Sequence, residues 1–492
     1  MCQNYKILLY LAQTQTIITM PKIIAGRIRE KEILHETLSS HRSELVAVYG
    51  RRRIGKTYLI REYFKDQIIF SFTGLSEGKR DDQIKNFMLM LNEVTANFKK
   101  EKNPEDWLEA FSFLKQHLKT IRKTKKKKVI FIDEFPWVDT QRSGFLAAFE
   151  NFWNDYCTTR SDLIVVICGS TASYMVRKII QNHKGLSKRI TQTILLKPFT
   201  LYETKEFFKY KGIPIEEMEL LKLYMALGGV AEYLEHVNTG ESSVVAIQRL
   251  CFQEGAYLEN EFEEVFKALF DDGSHHHKIM LALAKNNKKG INREIILDEL
   301  GLKSGGRFSE ALNELIYSGF VLKYEAYEEG NKSTLYRIYD EFCLFYIQFM
   351  KKHKKSKWTQ LYQKQEYKTW CGYSFETICL KHSEAIKKAL RCDQIESKNY
   401  SWNNSKAQVD LVIDRNDDVI NLCEIKFYKE KFTIDEAYLE KLRNKENHFR
   451  NSTETKKGIS TVLMTTWGVT ENKYSKAIVS NNLTKDCLFA EI

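Results

Sequence analysis

A phosphate-binding loop is the feature that most constrains what this chain can fold into. Residues 50–57 fit the full pattern G-x-x-x-x-G-K-[ST]. An apolar, β-prone run at 45–49 precedes the loop, and apolar residues at helical spacing follow it at 58–64. In the order strand, loop, helix, the backbone N–H groups of such a loop can face a polyphosphate. The sequence therefore predicts an α/β domain that binds a nucleotide, and disfavours a basic turn that only opens a helix.

The fixed positions of the loop have separate expected roles. Gly50 and Gly55 let the backbone bend around the phosphates. Lys56 is expected to reach the β- and γ-phosphates, and the Thr57 hydroxyl is expected to ligate Mg²⁺. A nucleotide kinase or a GTPase would also account for this loop, but the sequence has no evident N-K-x-D element for reading guanine.

Two later apolar strands predict the rest of the nucleotide site. In the run "VIFIDEFPWV" at 129–138, four apolar residues are followed by Asp133 and Glu134. This is a Walker B pattern, in which a buried strand places two carboxylates at its carboxyl end. Asp133 is expected to hold the Mg²⁺ shell, and Glu134 is expected to orient the attacking water. The run "LIVVICGSTASYM" ends in polar residues, among which Ser170 is suited to sense a γ-phosphate.

Length and composition give weaker evidence about the number of domains, the partners and the cellular compartment. A length of 492 residues predicts about three domains, and 76 Lys and Arg against 64 Asp and Glu give a formal net charge of +12. This charge permits DNA as a partner without establishing it, since an ordinary basic surface has the same balance. Ten cysteines without a C-x-x-C pair fit a reducing cytoplasm. No membrane partner is expected, because no apolar run is long enough to span a bilayer.

Residues 273–345 predict a winged helix, with three short amphipathic helices, glycine-bearing turns and then a hairpin. The third helix carries Glu310 and Glu314, and only Arg307 near its start. Acidic residues suit a phosphate-lined groove poorly, so a packing or partner-binding module is the alternative. A basic linker is expected at 346–370, where "KKHKKSK" would follow a DNA backbone or be a solvated connector.

A hairpin near the carboxyl end brings acidic residues together. Its turn is expected at 415–418, and this register places Asp410 opposite Glu424 on the neighbouring strand. Lys426 shares that face, since side chains alternate along a strand. Two carboxylates and a lysine on one face can bind a hydrated Mg²⁺, activate water and stabilise a charged transition state. The alternative is a solvent-facing hairpin with a salt bridge between Lys426 and an acid.

The order of phosphate loop, acidic pair and polar strand end resembles the AAA+ branch of P-loop ATPases, in which the third element is called sensor 1. Gly26 and Arg27 resemble the box that precedes the first strand in that class. Arg189 in "GLSKRITQTILLKPFTLYE" and the lid run "YMALGGVAEYL" narrow the resemblance to the archaeal-type, STAND-related ATPase family. It implies ATP as the nucleotide and Arg189 as a nucleotide-binding trigger, the alternative being a surface arginine. Ala231 stands where that family has a proline.

The spacing of Asp410, Glu424 and Lys426 resembles the D…(D/E)-x-K core of restriction-endonuclease-like folds. Glu376, on the preceding predicted helix, matches the auxiliary acid of such folds. The resemblance implies a PD-(D/E)xK module in which Asp410 and Glu424 bind Mg²⁺ or Mn²⁺ and all four residues are catalytic. Many members of the archaeal-type family carry such a domain after the winged helix, so the resemblance covers residues 20–492.

These patterns divide the chain into expected segments. They are an extension from an upstream start at 1–19, a P-loop ATPase core at 20–200, a helical lid at 201–272, the winged helix at 273–345, the basic linker at 346–370 and a nuclease-like domain at 371–492. Two functions compete: an ATPase whose nucleotide state governs a DNA nuclease, and a nucleotide-switched DNA- or protein-binding regulator with an inactive nuclease-like domain. The sequence favours the first, because the residues of the nuclease-like core are all retained. A homo-oligomer or a protein activator stays open as a partner.

Overall fold

The computed structural model describes residues 24–95, 103–182, 185–270, 273–286, 290–303, 305–327, 334–353, 357–404 and 406–492. The expected extension at 1–19 and the middle of the expected linker, 354–356, lie outside these residues. In the part of the chain that is described, no helix is both long and apolar enough to cross a membrane.

The strands and helices are as follows. The strands are β1 (Glu44–Tyr49), β2 (Ile68–Thr73), β3 (Lys128–Asp133), β4 (Leu163–Gly169), β5 (Gln192–Leu195), β6 (Val321–Glu325), β7 (Thr334–Ile338), β8 (Ser397–Asn403), β9 (Gln408–Arg415), β10 (Val419–Lys426), β11 (Gly458–Thr465) and β12 (Asn481–Thr484). The α-helices are Ile28–Ser39, Lys56–Tyr63, Arg80–Val94, Trp107–Thr120, Phe135–Val138, Phe145–Asp155, Ala172–Tyr174, Leu201–Tyr210, Glu217–Leu227, Ala231–Glu235, Ser243–Ile247, Glu261–Leu269, Ser274–Lys285, Arg293–Leu300, Gly306–Tyr317, Glu341–Phe345, Trp358–Leu361, Gln365–Lys381, Ser383–Ala389, Glu436–Thr453 and Lys473–Lys476. Three of these helices continue as π-helical turns at Met175–Ile180, Gln248–Phe252 and Tyr346–Met350, and short 3₁₀ turns lie at Cys157–Thr159, Gly185–Lys188 and Lys485–Phe489.

The first sheet is parallel throughout, with strand order β2-β3-β4-β1-β5. Its central strands are nearly continuous runs of Val, Ile and Leu, as expected where helices cover both faces. Because Tyr49 pairs with Gly169, the loops that follow β1 and β4 begin side by side. The predicted α/β core with a parallel sheet is confirmed, and its carboxyl edge gathers the residues of the nucleotide site.

The predicted lid region is largely helical over its described residues, 201–270, and a glycine turn within it contacts the segment that follows β5. The Phe199 N–H donates to the Gly229 carbonyl at 2.7 Å. A Cβ at Gly229 would lie 1.9 Å from the Phe199 oxygen, so a side chain does not fit there. Ala231, which stands in place of the family's proline, begins the helix Ala231–Glu235.

Among the described residues of 273–345, three helices precede the antiparallel pair β6–β7, and the helix Glu341–Phe345 follows it. Glu310 on the third helix pairs with Arg177 of the ATPase core at 2.6 Å, and Glu314 lies 3.7 Å from the same arginine. At the end of β6, the Tyr327 N–H donates to the Ser401 carbonyl on β8 at 2.7 Å. The third helix and the hairpin are therefore both held by intramolecular contacts. These contacts favour a packing module over a helix that inserts into a DNA groove.

The second sheet is mixed, with strand order β12-β11-β10-β9-β8. β9 is antiparallel to both neighbours, whereas β10, β11 and β12 are parallel, so the helix Glu436–Thr453 crosses from β10 to β11. Cys423 pairs with Leu411, and the next residues along the two strands are Glu424 and Asp410. This is the register expected from the turn at 415–418.

The expectation of a basic linker at 346–370 requires correction. Trp358 is buried and stacks on Phe252 with ring centroids 5.5 Å apart. Trp370 is also buried, and its ring meets Phe349 at 86° with centroids 5.4 Å apart. Burying a tryptophan or phenylalanine removes on the order of 150–250 Å² of its surface from water. The aromatic residues therefore hold the described parts of this segment, 346–353 and 357–370, against the core.

One buried histidine joins the carboxyl-terminal region to the lid. The Nε2 of His382 accepts from the Leu201 N–H at 2.9 Å, and its Nδ1 donates to the Ile378 carbonyl at 2.8 Å. Burial lowers the pKa of His382 to about 4. The imidazole is therefore neutral in the folded protein, and it fixes the first turn of the helix Leu201–Tyr210.

We expect acid to destabilise this junction. The pKa of histidine in an unfolded chain is about 6.5. Below that pH the His382 imidazole is protonated in the unfolded chain but stays neutral in the folded chain. The contribution of His382 should be complete above pH 6.5, fall by about 3 kcal/mol towards pH 4 and level off below it. Thermal unfolding at pH 7, 6 and 5 should show a smaller loss of Tm in His382→Gln than in the wild type. The exposed histidine His35→Gln is the control, and equal slopes for all three proteins would contradict the prediction.

Candidate active sites

The phosphate loop has a backbone that only glycine can provide at two positions. Gly50 has φ 145°, and a Cβ there would lie 2.2 Å from the Leu196 carbonyl oxygen. Gly55 has φ 91° and precedes the helix Lys56–Tyr63; a Cβ there would meet no atom within 4 Å, so its requirement is conformational. The loop thus directs the first N–H groups of a helix into open space, which suits an anion.

The expected ligands of Mg²⁺ and phosphate lie together. The Thr57 hydroxyl donates to Oδ2 of Asp133 at 2.8 Å, so the two oxygen groups that would hold Mg²⁺ are adjacent. Lys56 is buried and its Nζ donates to the Arg51 carbonyl at 2.8 Å. The donor set and the open loop therefore fit a nucleotide with Mg²⁺.

Glu134 and Ser170 meet beside this pair. The Ser170 hydroxyl donates to Oε2 of Glu134 at 2.8 Å, and its N–H donates to the same oxygen at 3.3 Å. Glu134 has φ 46°, a left-handed conformation that costs about 1–3 kcal/mol in a residue other than glycine. Such strain is typical of functional sites, and here it directs the carboxylate towards the end of β4.

Arg189 stands apart from the other expected residues. It is exposed just before β5. Within the described ranges its side chain has no hydrogen bond or ion pair. Arg27, by contrast, lies buried under the loop and donates to the carbonyls of Lys197 at 2.7 Å and Ile54 at 3.2 Å.

Two arginines of the loop have roles that the sequence did not predict. Arg51 is buried, donates to the Tyr233 hydroxyl at 3.3 Å and forms an ion pair with Asp340. Arg53 pairs with Glu261 of the lid at 2.7 Å. Both occupy variable positions of the motif, so no spacing rule identifies them. They tie the loop to the lid and to the segment after β7.

A row of buried charges continues from this point. Glu341, next to Asp340, accepts from Nζ of Lys381 at 2.6 Å and 2.8 Å. Burial lowers the pKa of Lys381 in spite of its partner Glu341. Lys381 ends the helix Gln365–Lys381, which also carries Glu376. We call Arg51, Asp340, Glu341 and Lys381 the buried ion chain.

The second candidate site is a cavity of about 870 Å³ beside β9 and β10. Asp410, Glu424, Lys426 and Glu376 all line it. Nζ of Lys426 lies 2.8 Å from Oε1 of Glu424, and Oδ2 of Asp410 accepts from the Ile425 N–H at 3.1 Å. The structure therefore brings together all four residues expected at this site.

The carboxyl groups of the cavity differ in charge. Burial, with a further contribution from the charge of Asp410, raises the pKa of Glu376 to about 8. Burial also opposes ionisation of Glu424, but Lys426 and Lys445 outweigh it and hold the pKa of Glu424 at about 2. Burial and the charge of Glu424 raise the pKa of Asp410. At neutral pH Glu376 thus holds a proton while Glu424 is ionised.

Two residues of the helix Glu436–Thr453 also belong to this site. Nζ of Lys445 contacts Oε2 of Glu424, and the Tyr438 hydroxyl donates to Oε1 at 2.8 Å. Sequence reasoning missed them. The available signal is their separation of two helical turns, which puts both side chains on one face of the helix.

The comparisons with known proteins support the nucleotide site. Residues 25–237 match a family model described as an ATPase domain predominantly from Archaea. This part of the chain is therefore a P-loop ATPase domain. An uncharacterized protein of Methanocaldococcus jannaschii, MJECL04, is 27% identical over 415 residues, which cover 82% of this chain and 88% of that protein. The similarity thus extends outside the ATPase domain.

Solved structures give weaker likenesses. The Walker-type ATPase PABY2304 of Pyrococcus abyssi has a TM-score of 0.45 at 19% identity, over 66% of this chain and 96% of its own. The Aeropyrum pernix ORC2 protein has a TM-score of 0.42 at 15% identity, over 67% of this chain and 95% of its own. The fold assignment consequently rests on the sheet order and the phosphate loop.

Replacing Lys56 tests the nucleotide site. Lys56→Ala should weaken ATP binding at least tenfold and abolish turnover, because the loop loses the ammonium group that is expected to reach the β- and γ-phosphates. Binding of a fluorescent ATP analogue and phosphate release measure the two effects. Lys65→Ala, an exposed lysine beyond the same helix, is the matched control, and the Tm of both variants checks folding. Wild-type turnover in Lys56→Ala would remove the assignment of this site.

Proposed function

We propose that this chain is an ATP-binding, Mg²⁺-dependent ATPase whose nucleotide state governs a metal-dependent DNA nuclease module at residues 371–492. The observation that carries the proposal is the convergence of Asp410, Glu424, Lys426 and Glu376 on one cavity. The order of one helix, an antiparallel hairpin and a crossover helix around them supports a PD-(D/E)xK domain.

The roles at the ATPase site follow from the contacts there. Thr57 and Asp133 would hold Mg²⁺, and Lys56 would leave the Arg51 carbonyl to contact phosphate. Glu134 orients the attacking water, while Ser170, which holds Glu134 at 2.8 Å, reports whether a γ-phosphate is present. Arg189 is exposed, so its guanidinium group is accessible to a nucleotide bound by a second copy of the chain.

The roles at the nuclease site divide between acids and lysine. Asp410 and Glu424 would hold Mg²⁺ or Mn²⁺, and the bound cation would supply Lewis-acid activation of water. Lys426 stabilises negative charge on the phosphate under attack. Glu376, which is protonated at neutral pH, holds a proton close to Asp410. A salt bridge requires only one acid and one lysine, such as Glu424 and Lys426. The additional presence of Asp410, Glu376 and Lys445 makes a purely structural role less fitting.

DNA is the proposed substrate because of the cations around the cavity. Lys406, Lys426, Lys441 and Lys445 line it together. Several ammonium groups around one cavity suit a run of phosphates. The winged helix at 273–345 is proposed as a packing module rather than the reader of DNA, since Glu310 already pairs with Arg177.

The buried ion chain is the proposed connection between the sites. It begins in the phosphate loop at Arg51 and ends at Lys381, five residues after Glu376 on the same helix. Separating buried charges costs several kcal/mol. A shift of the phosphate loop would therefore move the helix Gln365–Lys381 with it. Nucleotide state can thus alter the position of Glu376.

A specific contact favours the second candidate function, a nucleotide-switched DNA- or protein-binding regulator. Both oxygens of Glu424 are already held, by Lys426 and Tyr438 on one side and by Lys445 on the other. If these contacts are permanent, no cation binds and the module only docks a partner.

A cleavage assay separates the two functions. Full-length protein should cut linear, circular or single-stranded DNA with Mg²⁺ or Mn²⁺, and Asp410→Ala should reduce the rate at least a hundredfold, because one of two cation ligands is lost. Asp410→Ala should turn over ATP at the wild-type rate. Asp414→Ala, on the same strand but paired with Lys457, is the control. No cutting by the wild type, with ATP turnover intact, would support the regulator instead.

Substitution of Lys381 tests the connection. Lys381→Met should keep basal cleavage and ATP turnover within about threefold of wild type but remove the change in cleavage that ATP causes, because the buried ion chain is broken at its last member. Cleavage rates with ATP, with ADP and without nucleotide provide the measurement. Lys368→Met, an exposed lysine of the same helix, should keep the full nucleotide response. An unchanged response in Lys381→Met would show that the sites communicate by another route or not at all.

A further inference from the structure

We infer that Lys445 is a phosphate-contacting residue of the nuclease site, which is released from Glu424 when that carboxylate takes a divalent cation. This inference rests on the proposed function. It assigns a second lysine to the site, beside Lys426 of the D…(D/E)-x-K pattern, and it places that lysine on a different element.

The first reason is the number of donors around one carboxylate. Glu424 is 4% exposed and receives the ammonium groups of both Lys426 and Lys445, together with the Tyr438 hydroxyl. One lysine is enough to neutralise one carboxylate. A second ammonium group in a largely buried place is costly, and such groups are usually kept for a use.

The second reason is the position of the helix that carries Lys445. Helix Glu436–Thr453 forms one wall of the cavity and presents residues at intervals of three or four, which is one face of a helix. Those that line the cavity are Ala437, Glu440, Lys441, Asn444, Lys445 and His448. Lys445 is therefore part of the basic wall, as well as a partner of Glu424.

The third reason is the reach of the side chain. A lysine ammonium is a point charge with three donors on a flexible stem, so it can exchange one oxygen partner for another without a change of backbone. Lys445 is 14% exposed, so its ammonium group borders the cavity. A phosphodiester bound there offers oxygens that replace those of Glu424. Lys445 then faces the same phosphate as Lys426 but from the opposite side of Glu424.

The matched variants are Lys445→Met and Arg443→Met. Both remove one positive charge from the helix Glu436–Thr453. Arg443 is exposed, pairs with Glu440 at 2.9 Å and is not among the residues that line the cavity. Lys445→Arg keeps the charge and tests whether charge alone is sufficient.

Three measurements are made on the full-length proteins. Calorimetric titration with Mn²⁺ in the absence of DNA gives cation affinity, fluorescence anisotropy with labelled duplex in Ca²⁺ gives DNA affinity, and a gel assay in Mg²⁺ gives the cleavage rate. Lys445→Met should bind Mn²⁺ as tightly as wild type or up to tenfold more tightly, because a competing cation is gone. Its cleavage should fall at least tenfold, with DNA affinity reduced, and Lys445→Arg should recover part of both. Arg443→Met should stay within about threefold of the wild type in cleavage rate.

The outcomes separate this inference from the proposed function. If wild type cuts DNA and Lys445→Met cuts at the same rate, the inference is overturned and the proposed function stands. If Lys445→Met loses Mn²⁺ affinity and Tm together, Lys445 only holds Glu424 in place and the inference is overturned. If wild type neither binds Mn²⁺ nor cuts DNA, the proposed function and the inference fail together.

Discussion

The ion pair between Arg51 and Asp340 is the interaction on which the arrangement of the whole chain depends. Both side chains are about 3% exposed, and they join the phosphate loop to the segment that leads out of the β6–β7 hairpin. Removing one partner of a buried pair costs on the order of 3–5 kcal/mol, because the other charge stays buried. The pair therefore fixes where the helix Glu341–Phe345 begins, and through Glu341 it fixes the end of the helix Gln365–Lys381.

The two candidate sites use charge in different ways. At the phosphate loop, Lys56 and the helix N-terminus create a positive place, and Thr57 and Asp133 offer oxygens to a cation. In the second cavity, carboxylates and lysines already neutralise one another. At the first site a nucleotide has to displace only the hydrogen bond from Lys56 to the Arg51 carbonyl, whereas at the second site a carboxylate has to exchange a charged internal partner for an external one.

The sequence predicts those parts of the sites that obey local rules. Residues 50–57 and Asp133 are found by fixed spacing after a strand, and the pairing of Asp410 with Glu424 follows from a short turn. Arg51, Lys445 and the packing of Trp358 depend on contacts between segments far apart in the chain, and no local pattern contains that information. The burial of aromatic residues between 346 and 370 escapes sequence analysis for a related reason, since the lysines form a local pattern whereas the buried partners of the aromatic residues lie elsewhere in the chain.

A connection made of a few buried charges behaves differently from one made of apolar packing. Apolar contacts change little when a phosphate binds nearby, but a charge responds to another charge over several ångströms in a low dielectric. Lys56 donates to the Arg51 carbonyl, so drawing the ammonium group towards phosphate removes a hydrogen bond from the residue that starts the buried ion chain. Because the chain has four members, a single substitution can interrupt it while the apolar core around it stays whole.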